Sequence, residues 1–322
     1  MKRMSESVKK FLKRHEVIVA IFTVLLFIFF SVFSDNFLTA KNVKLIFSQY
    51  SINGICVLGV AIVVILGGID LSAGSILAVA GFCGGALINT GAPAILAILV
   101  AVIMGTVCGC VNALVITKLG VPAIITTIAT NYLFRGLLVI VTGGFWVNQF
   151  PKSFTTIATG RFLGMNNTFW MAMLLLFLVS FMTHNLNIGR KIYAVGTNPE
   201  GADRCGIHTD RVLIFGYSLC GALIGFAGSM YAAQYGAVNP AVVGTNLGTT
   251  VLAAALAGGV NFGGRGTLAG GAIGMMLITV INNGLIQIKV SEYWIDAITG
   301  AIILLALLLN ILNVGTVRRE EE

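Results

Sequence analysis

The chain is 322 residues long, 57% hydrophobic and only 10% charged. A soluble domain carries about a quarter of charged residues, so this composition excludes a water-soluble protein. Apolar runs of about eighteen residues or more recur, the length needed to cross a hydrocarbon core of roughly 30 Å. The sequence therefore predicts an all-α, polytopic membrane protein. The formal net charge of +8 is then a sign of membrane topology, and no nucleic-acid partner is expected.

The first segment, residues 1–16, is basic and amphipathic. It is too long and too charged for a signal peptide and has no small-residue cleavage site. We expect a cytoplasmic helix lying on the membrane lipid. A disordered basic tail is the alternative.

Ten hydrophobic segments follow and predict about ten transmembrane helices, with broken or re-entrant pieces. They form a single transmembrane domain over 17–313, ahead of a short cytoplasmic tail at 314–322. The eighth is short for a full crossing and could be re-entrant, provided that protein shields its ends. The predicted spans are 17–34, 43–66, 73–90, 93–117, 122–142, 168–185, 212–234, 247–260, 267–288 and 293–313.

The positive charges predict the orientation of these segments. With the N-terminus inside and all ten segments crossing, fourteen of the twenty lysines and arginines fall on the inner side, as the positive-inside rule requires. Both termini are then cytoplasmic. The stretch 143–167 becomes an outer loop, and 186–211 becomes a polar, basic inner loop.

One carboxylate lies between two of the most apolar segments, in "GGIDLSAGS" at 67–75. An aspartate at the centre of a membrane helix costs about 2.5–3.5 kcal/mol on insertion scales. Gly67 and Gly68 are expected to break one helix, so that Asp70 or Ser72 caps the N–H groups of the next. The alternative, which is compatible with the first, is that Asp70 and Ser72 form a polar wall of a substrate path.

Three further polar residues are candidates for that path. "GGVNFGGRG" at 258–266 resembles 67–75 and sets Asn261 against Asp70, either as an internal repeat or by coincidence. Asn283 and Gln287 are four residues apart and share a helix face. They face either a solute hydroxyl or neighbouring helices. Arg135 is expected near the outer mouth or at the interface.

No phosphate-binding loop of the form G-x-x-x-x-G-K-[ST] occurs in the chain, so any ATP that drives it is bound by another subunit. The three histidines are dispersed and suggest no proton relay. The six cysteines fall in membrane segments or on the cytoplasmic side, where free thiols are expected. We expect neither a metal nor a cofactor in this chain.

Three stretches carry a resemblance to a known family. "GGIDLSAGS" is similar to the signature of permease subunits of ribose-type ABC sugar importers. "GRKIYAVGTNPEGADRCGI" (189–207) resembles their cytoplasmic loop, and "ALAGGVNFGGRGTLAGGAIG" (255–274) resembles their glycine-rich segment. The similarity runs in order from about residue 17 to residue 313. Any one stretch would be weak, but together they are specific.

The resemblance implies a permease of the bacterial plasma membrane that is not itself an enzyme. It would form the pathway with a second copy or a homologous permease, for import of a monosaccharide or a related polyol-like signal. A cytoplasmic subunit would bind ATP and Mg, and an extracytoplasmic substrate-binding protein would deliver the solute. The inner loop would dock on the ATPase through Asn198, Pro199, Glu200, Ala202, Arg204, Gly206 and Ile207.

Two positions depart from the family pattern: Gly201 stands where alanine is usual, and no glutamate occurs near Asn246. The stretch 121–151 resembles the branch that carries rhamnose and a furanosyl autoinducer, although ribose and other pentoses remain close. The alternatives are an ion- or proton-coupled secondary sugar carrier that works alone, and a non-transporting scaffold or receptor.

Overall fold

The structure is a computed structural model, which describes residues 15–291 and the isolated positions 294, 297, 298, 300, 301 and 304. Nearly all of the predicted surface helix at 1–16 lies outside the described residues. So do the tail at 314–322 and most of the tenth predicted segment.

The described residues form twelve helices and four two-residue strands. The helices are α1 (His15–Phe33), α2 (Ala40–Ile65), α3 (Ala73–Asn89), α4 (Ala94–Leu119), α5 (Ala123–Thr142), α6 (Lys152–Thr159), α7 (Asn167–Asn185), α8 (Asn187–Thr197), α9 (Pro199–Arg204), α10 (Thr209–Tyr235), α11 (Leu247–Ala257) and α12 (Leu268–Gln287). The strands are β1 (Val147–Asn148), β2 (Arg161–Phe162), β3 (Met165–Asn166) and β4 (Ala237–Val238).

Seven of these helices are long and apolar enough to cross a membrane, namely α1, α2, α4, α5, α7, α10 and α12. Two further predicted segments are shorter helices, because α3 has 17 residues and α11 only 11.

Proline and glycine residues set several helix boundaries. Pro93 and Pro122 precede α4 and α5, where a missing N–H is tolerated. Gly120 and Gly143 end these helices in the left-handed conformation.

Helix α2 forms the centre of the molecule, and its residues 54–65 are wholly buried. It packs against α10, α12, α7 and α11. The closest helix pair is α4 with α10, where Gly105 and Gly109 meet the backbone of Gly221 and Gly225. Small residues allow such close approach between membrane helices. Large apolar side chains of α1, α4, α5 and α7 are exposed around the outside, as lipid contact requires.

The loops gather at two ends of the bundle. One end carries α8 and α9, and we call it the elbow end. There Lys118 Nζ pairs with Asp210 at 2.9 Å, and His15 Nε2 lies 3.0 Å from the carbonyl oxygen of Ala257. The other, the hairpin end, carries α6, the β2–β3 hairpin and the antiparallel pair β1–β4. The two longest predicted loops are therefore folded, each around short helices.

Candidate functional site

The first component of the site is the break between α2 and α3. Helix α2 ends in a Schellman motif: Gly68 N–H bonds the carbonyl of Val63 and Gly67 N–H that of Val64, both at 2.9 Å. Gly67 has φ +86°, which glycine adopts at no steric cost. The glycine break predicted at this position is present.

Asp70 lies inside the break and is completely buried. Its Oδ1 accepts hydrogen bonds from the Ser72 N–H at 2.8 Å and the Ser72 hydroxyl at 2.6 Å. The thiol of Cys220 lies 3.7 Å from Oδ2 and donates to it. Ser72 occupies the N-cap of α3 without a side-chain capping bond. The capping prediction is therefore corrected. Asp70 binds the N–H of the N-cap residue itself, as in an Asx turn, and not an N–H within the helix.

A second layer of polar contacts holds the break from neighbouring helices. The carbonyl oxygen of Ile69 accepts from the Tyr217 hydroxyl at 3.3 Å and from Thr127 Oγ1 at 3.2 Å. The Ser72 hydroxyl accepts from Asn112 Nδ2 at 2.8 Å. Contacts from α4, α5 and α10 thus meet at one point. Backbone groups that the break leaves without helical partners gain them here, as burial in a membrane requires.

The second component is α11, which crosses only part of the bundle. Eleven residues of α-helix are about 16 Å long, roughly half of a hydrocarbon core of about 30 Å. Its C-terminus lies at the elbow end beside His15. Its N-terminus meets the α2–α3 break, where Gly248 contacts the backbone of Leu71 and Gly244 that of Gly74. Two helices thus begin next to one another inside the bundle.

The third component is a cavity of about 280 Å³ between α2, α10 and α12. On the elbow-end side α11 fills the gap between α2 and α12, and the cavity occupies the gap towards the hairpin end. Amides, a hydroxyl and two tyrosine rings 4.6 Å apart line it. This mixture of hydrogen-bonding groups and aromatic faces suits a small hydroxylated solute. The lining residues are Gln49, Ile52, Asn53, Tyr231, Tyr235, Met275, Thr279, Asn282, Asn283 and Ile286.

Asn283 and Gln287 both bind Asn42, near the hairpin end. Asn42 and Asn283 exchange two amide hydrogen bonds of 2.8 and 3.0 Å, and Gln287 Nε2 donates to Asn42 Oδ1 at 2.8 Å. Asn283 also lines the cavity, whereas Gln287 does not. Both side chains therefore bond to the neighbouring helix α2.

Asn261 is placed far from Asp70. It lies in the 258–267 turn at the elbow end, where its N–H bonds the carbonyl of Arg265 at 2.9 Å. The structure therefore does not bring the side chains of Asn261 and Asp70 together. A backbone likeness does exist: α11, like α2, ends in a Schellman motif, and Gly259 has φ +87°. The five predicted path residues thus lie in three places and form no single wall.

The fourth component is the elbow, residues 198–209, built around α9. Asn198 caps this helix by accepting from the Gly201 N–H at 2.9 Å, and Pro199 occupies its first turn. Asp203 accepts from the Thr209 N–H at 3.0 Å, a bond that lowers the pKa of this carboxyl. Ala202 is buried, whereas Glu200, Arg204 and Cys205 are exposed. The elbow therefore presents charged groups on a small, rigid support.

Helix α8, which precedes the elbow, is joined to the α2–α3 break both directly and through the 258–267 turn. The N–H of Gly264 bonds the carbonyl of Ile65, the last residue of α2, at 3.1 Å. The hydroxyl of Tyr193 on α8 bonds the carbonyl of Gly266 at 3.0 Å. Gly196 packs on the same Ile65 carbonyl, with no space for a Cβ. Helix α8 therefore contacts the end of α2.

Sequence reasoning missed several residues of the site. Gln49 and Asn53 lie four apart on α2, and Tyr231 and Tyr235 lie four apart on α10. Residues of this kind, four apart on otherwise apolar helices, share a helix face and could have indicated the cavity from the sequence. Asn42 had no such signal, because its partners are more than 240 residues away.

Comparisons with known proteins agree with this architecture. Residues 42–307 match the family model described as "Branched-chain amino acid transport system / permease component". An "Autoinducer 2 import system permease protein LsrC" of Yersinia pseudotuberculosis is 32% identical over 297 residues, covering 92% of this chain and 84% of that protein. The protein of the same name from Photorhabdus luminescens is 30% identical over 303 residues, covering 94% and 91%. No solved structure gives a significant match.

A bundle of apolar helices with a buried break, a polar cavity and an exposed elbow describes a multi-pass membrane protein. The chain belongs to the permease-component family of ABC-type import systems that this model describes. It is a transport subunit of the inner membrane and not an enzyme. The predicted resemblance to importer permeases is confirmed.

Proposed function

We propose that this chain imports a monosaccharide or a furanosyl signal of the autoinducer-2 type, as the pathway subunit of an ATP-driven importer. The relatives' names specify autoinducer 2. The amides and tyrosines of the cavity suit a small solute rich in hydroxyl groups. Rhamnose, ribose and other pentoses carry the same groups and are the competing substrates.

The elbow is the observation that carries the ATP-driven mechanism. It is capped, hydrogen-bonded internally and exposed, and it directly follows α8, whose Gly196 contacts the end of α2 at Ile65. We assign ATPase docking to Asn198, Pro199, Glu200, Ala202, Arg204, Gly206 and Ile207. Of these, Glu200 and Arg204 supply charge, Asn198 and Gly206 set the shape, and Ala202 and Ile207 anchor the elbow to the bundle. The partner would bind ATP and Mg.

The elbow end is proposed to be cytoplasmic. It gathers Lys118, Arg190, Lys191, Arg204 and Arg211, in agreement with the positive-inside rule. Ten spans with both termini inside complete this topology. The hairpin end would then meet the substrate-binding protein, and a second permease copy or a homologous permease would complete the pathway.

Contact with substrate is proposed for Asn283, because it alone of the five predicted path residues lines the cavity. Gln49, Asn53 and Tyr231 line it too. Asp70 and Ser72 are fully buried and would act on the path by fixing the shape of the break. Gln287 would position Asn283 through Asn42, and Asn261 would act in the turn beside the elbow.

Reconstitution tests the proposed function. Vesicles holding this chain with its permease partner, ATPase and binding protein should take up labelled autoinducer 2, rhamnose or ribose only with ATP. The same vesicles without the ATPase are the control. Uptake driven by an ion gradient in vesicles holding this chain alone would establish the alternative, a secondary carrier. Absence of any uptake change on deletion would favour a scaffold or receptor.

A further inference from the structure

A stretch of irregular backbone precedes α11 at membrane depth. Helix α3 ends at Asn89, whose Nδ2 bonds the carbonyl of Asn148 in β1 at the hairpin end. From Asn89 back to Gly74 is about 22 Å of helix, and Gly74 touches Gly244. The chain therefore descends from β4 deep into the bundle without forming a helix. Backbone of this kind is not tolerated against lipid.

Arg135 holds this irregular stretch in place. Its Nη1 donates to the carbonyls of Pro240 and Ala241 at 3.1 and 3.3 Å, and its Nη2 donates to that of Val243 at 2.8 Å. Three carbonyl groups that no helix satisfies are thus bound by one guanidinium group. An arginine within a membrane helix is costly and marks a functional region. Its contacts here preserve a non-helical backbone.

After the carbonyl groups that Arg135 binds, polar side chains of the next residues are exposed. Thr245, Asn246 and Thr249 are all exposed. Asn246 is the N-cap residue of α11 but makes no capping bond through its side chain. None of the three lines the cavity between α2, α10 and α12. We call this separate surface the polar strip.

The Thr249 hydroxyl donates to the Asn246 carbonyl at 2.9 Å. Lipid still does not suit the polar strip, because hydrocarbon offers no hydrogen bond to the Asn246 amide or the Thr245 hydroxyl. We propose that the polar strip lines the water-filled route of the assembled transporter, where its amide and hydroxyls contact the hydroxyl groups of the passing solute. Arg135 is the positioning residue, because its bonds to three carbonyl groups hold the backbone that precedes the polar strip. The inference rests on the proposed transport function and adds the residues that form one side of the route.

Cysteine labelling of the assembled transporter in membranes tests this proposal. Asn246→Cys and Thr249→Cys are made with Cys205→Ser, which removes the exposed native thiol, and Thr245→Cys is a further variant should either fail to assemble. Phe177→Cys on α7 is the matched control, since Phe177 is 66% exposed in a fully apolar stretch. A charged, water-soluble thiol reagent is the probe. Thiols of the polar strip should react at least about tenfold faster than the control, because the reactive thiolate forms where water reaches it.

Two results would overturn the proposal. One is reaction at the polar strip as slow as at Phe177→Cys. The other is reaction in the isolated chain that disappears in the assembled complex, which would show that a partner subunit covers the strip. Labelling needs no transported solute, so it remains informative if uptake of autoinducer 2 or a sugar fails.

Discussion

Gly74 and Gly244 lie in backbone contact, so close that a Cβ on Gly74 would overlap the carbonyl oxygen of Gly244. This contact joins the start of α3 to the irregular stretch before α11. Only two glycines allow the two backbones to approach in this way. This contact and that of Gly248 with Leu71 hold the two interrupted helices next to each other.

Gly74→Ala should separate these backbones and destabilise the fold by about 1–3 kcal/mol, the usual cost of overpacking a core. Gly136→Ala is the control, because a Cβ there meets nothing within 4 Å and alanine favours the helix by about 0.5–1 kcal/mol. Thermal unfolding of the purified protein measures both variants. Equal unfolding temperatures would show that the contact does not constrain the fold.

Asp70→Leu should fail to assemble, since it leaves the buried N–H of Ser72 without its acceptor, at a cost of about 1–3 kcal/mol. Asp70→Asn keeps an acceptor oxygen at Oδ1 and should fold and transport nearly normally. Ser75→Ala is a nearby buried control that loses only a bond to the Ser72 carbonyl. Complex yield and uptake are measured together. An Asn variant that assembles but does not transport would show that the charge itself is required.

Asn283→Ala should destabilise the chain more than Gln287→Ala, because Asn283 exchanges two bonds with Asn42 and Gln287 makes one. A double-mutant cycle of Asn42→Ala with Asn283→Ala should give a coupling of about 0.6–1.7 kcal/mol, the range seen for hydrogen bonds within membranes. Unfolding in detergent provides the energies. A coupling of zero would mean that the pair adds nothing to stability.

Asn198→Ala should loosen the elbow and reduce ATPase binding while the membrane bundle stays folded. Loss of an N-cap costs about 0.5–2 kcal/mol, and here it falls on a helix of six residues. Asn198→Asp keeps the capping oxygen and is the control. Crosslinking from the exposed Cys205 to the ATPase reports docking. Labelling of Cys205 only from outside the cell would contradict both the topology and the docking role.

Arg135→Lys should lower the unfolding temperature although it keeps the positive charge. A lysine ammonium is a single point of donation and does not reproduce the fork that binds three carbonyls. Arg161→Lys is the control, because Arg161 is exposed in β2. Unfolding of both variants is compared in the assembled complex. An Arg135→Lys variant as stable as the control would show that the charge alone holds the irregular stretch.

Local features of the sequence were enough to predict the class of protein and most of its helices. Segments such as 73–90 and 122–142 coincide with α3 and α5 to within a residue, because apolar length, proline and glycine act locally. The break at Gly67 and Gly68 could be predicted for the same reason, because the positive φ of a glycine depends on that residue and its chain neighbours. Family motifs then led to the permease class.

The polar groups that act together could be identified only from the packing of the helices. Asp70 meets Cys220 across 150 residues, Asn283 meets Asn42 across 241, and Arg135 reaches Val243 across 108. Such pairs depend on which helices pack side by side, and helical periodicity gives the face of a residue but not the neighbour opposite it. The cavity also depends on helix packing, because it lies where the short helix α11 does not fill the gap between α2 and α12.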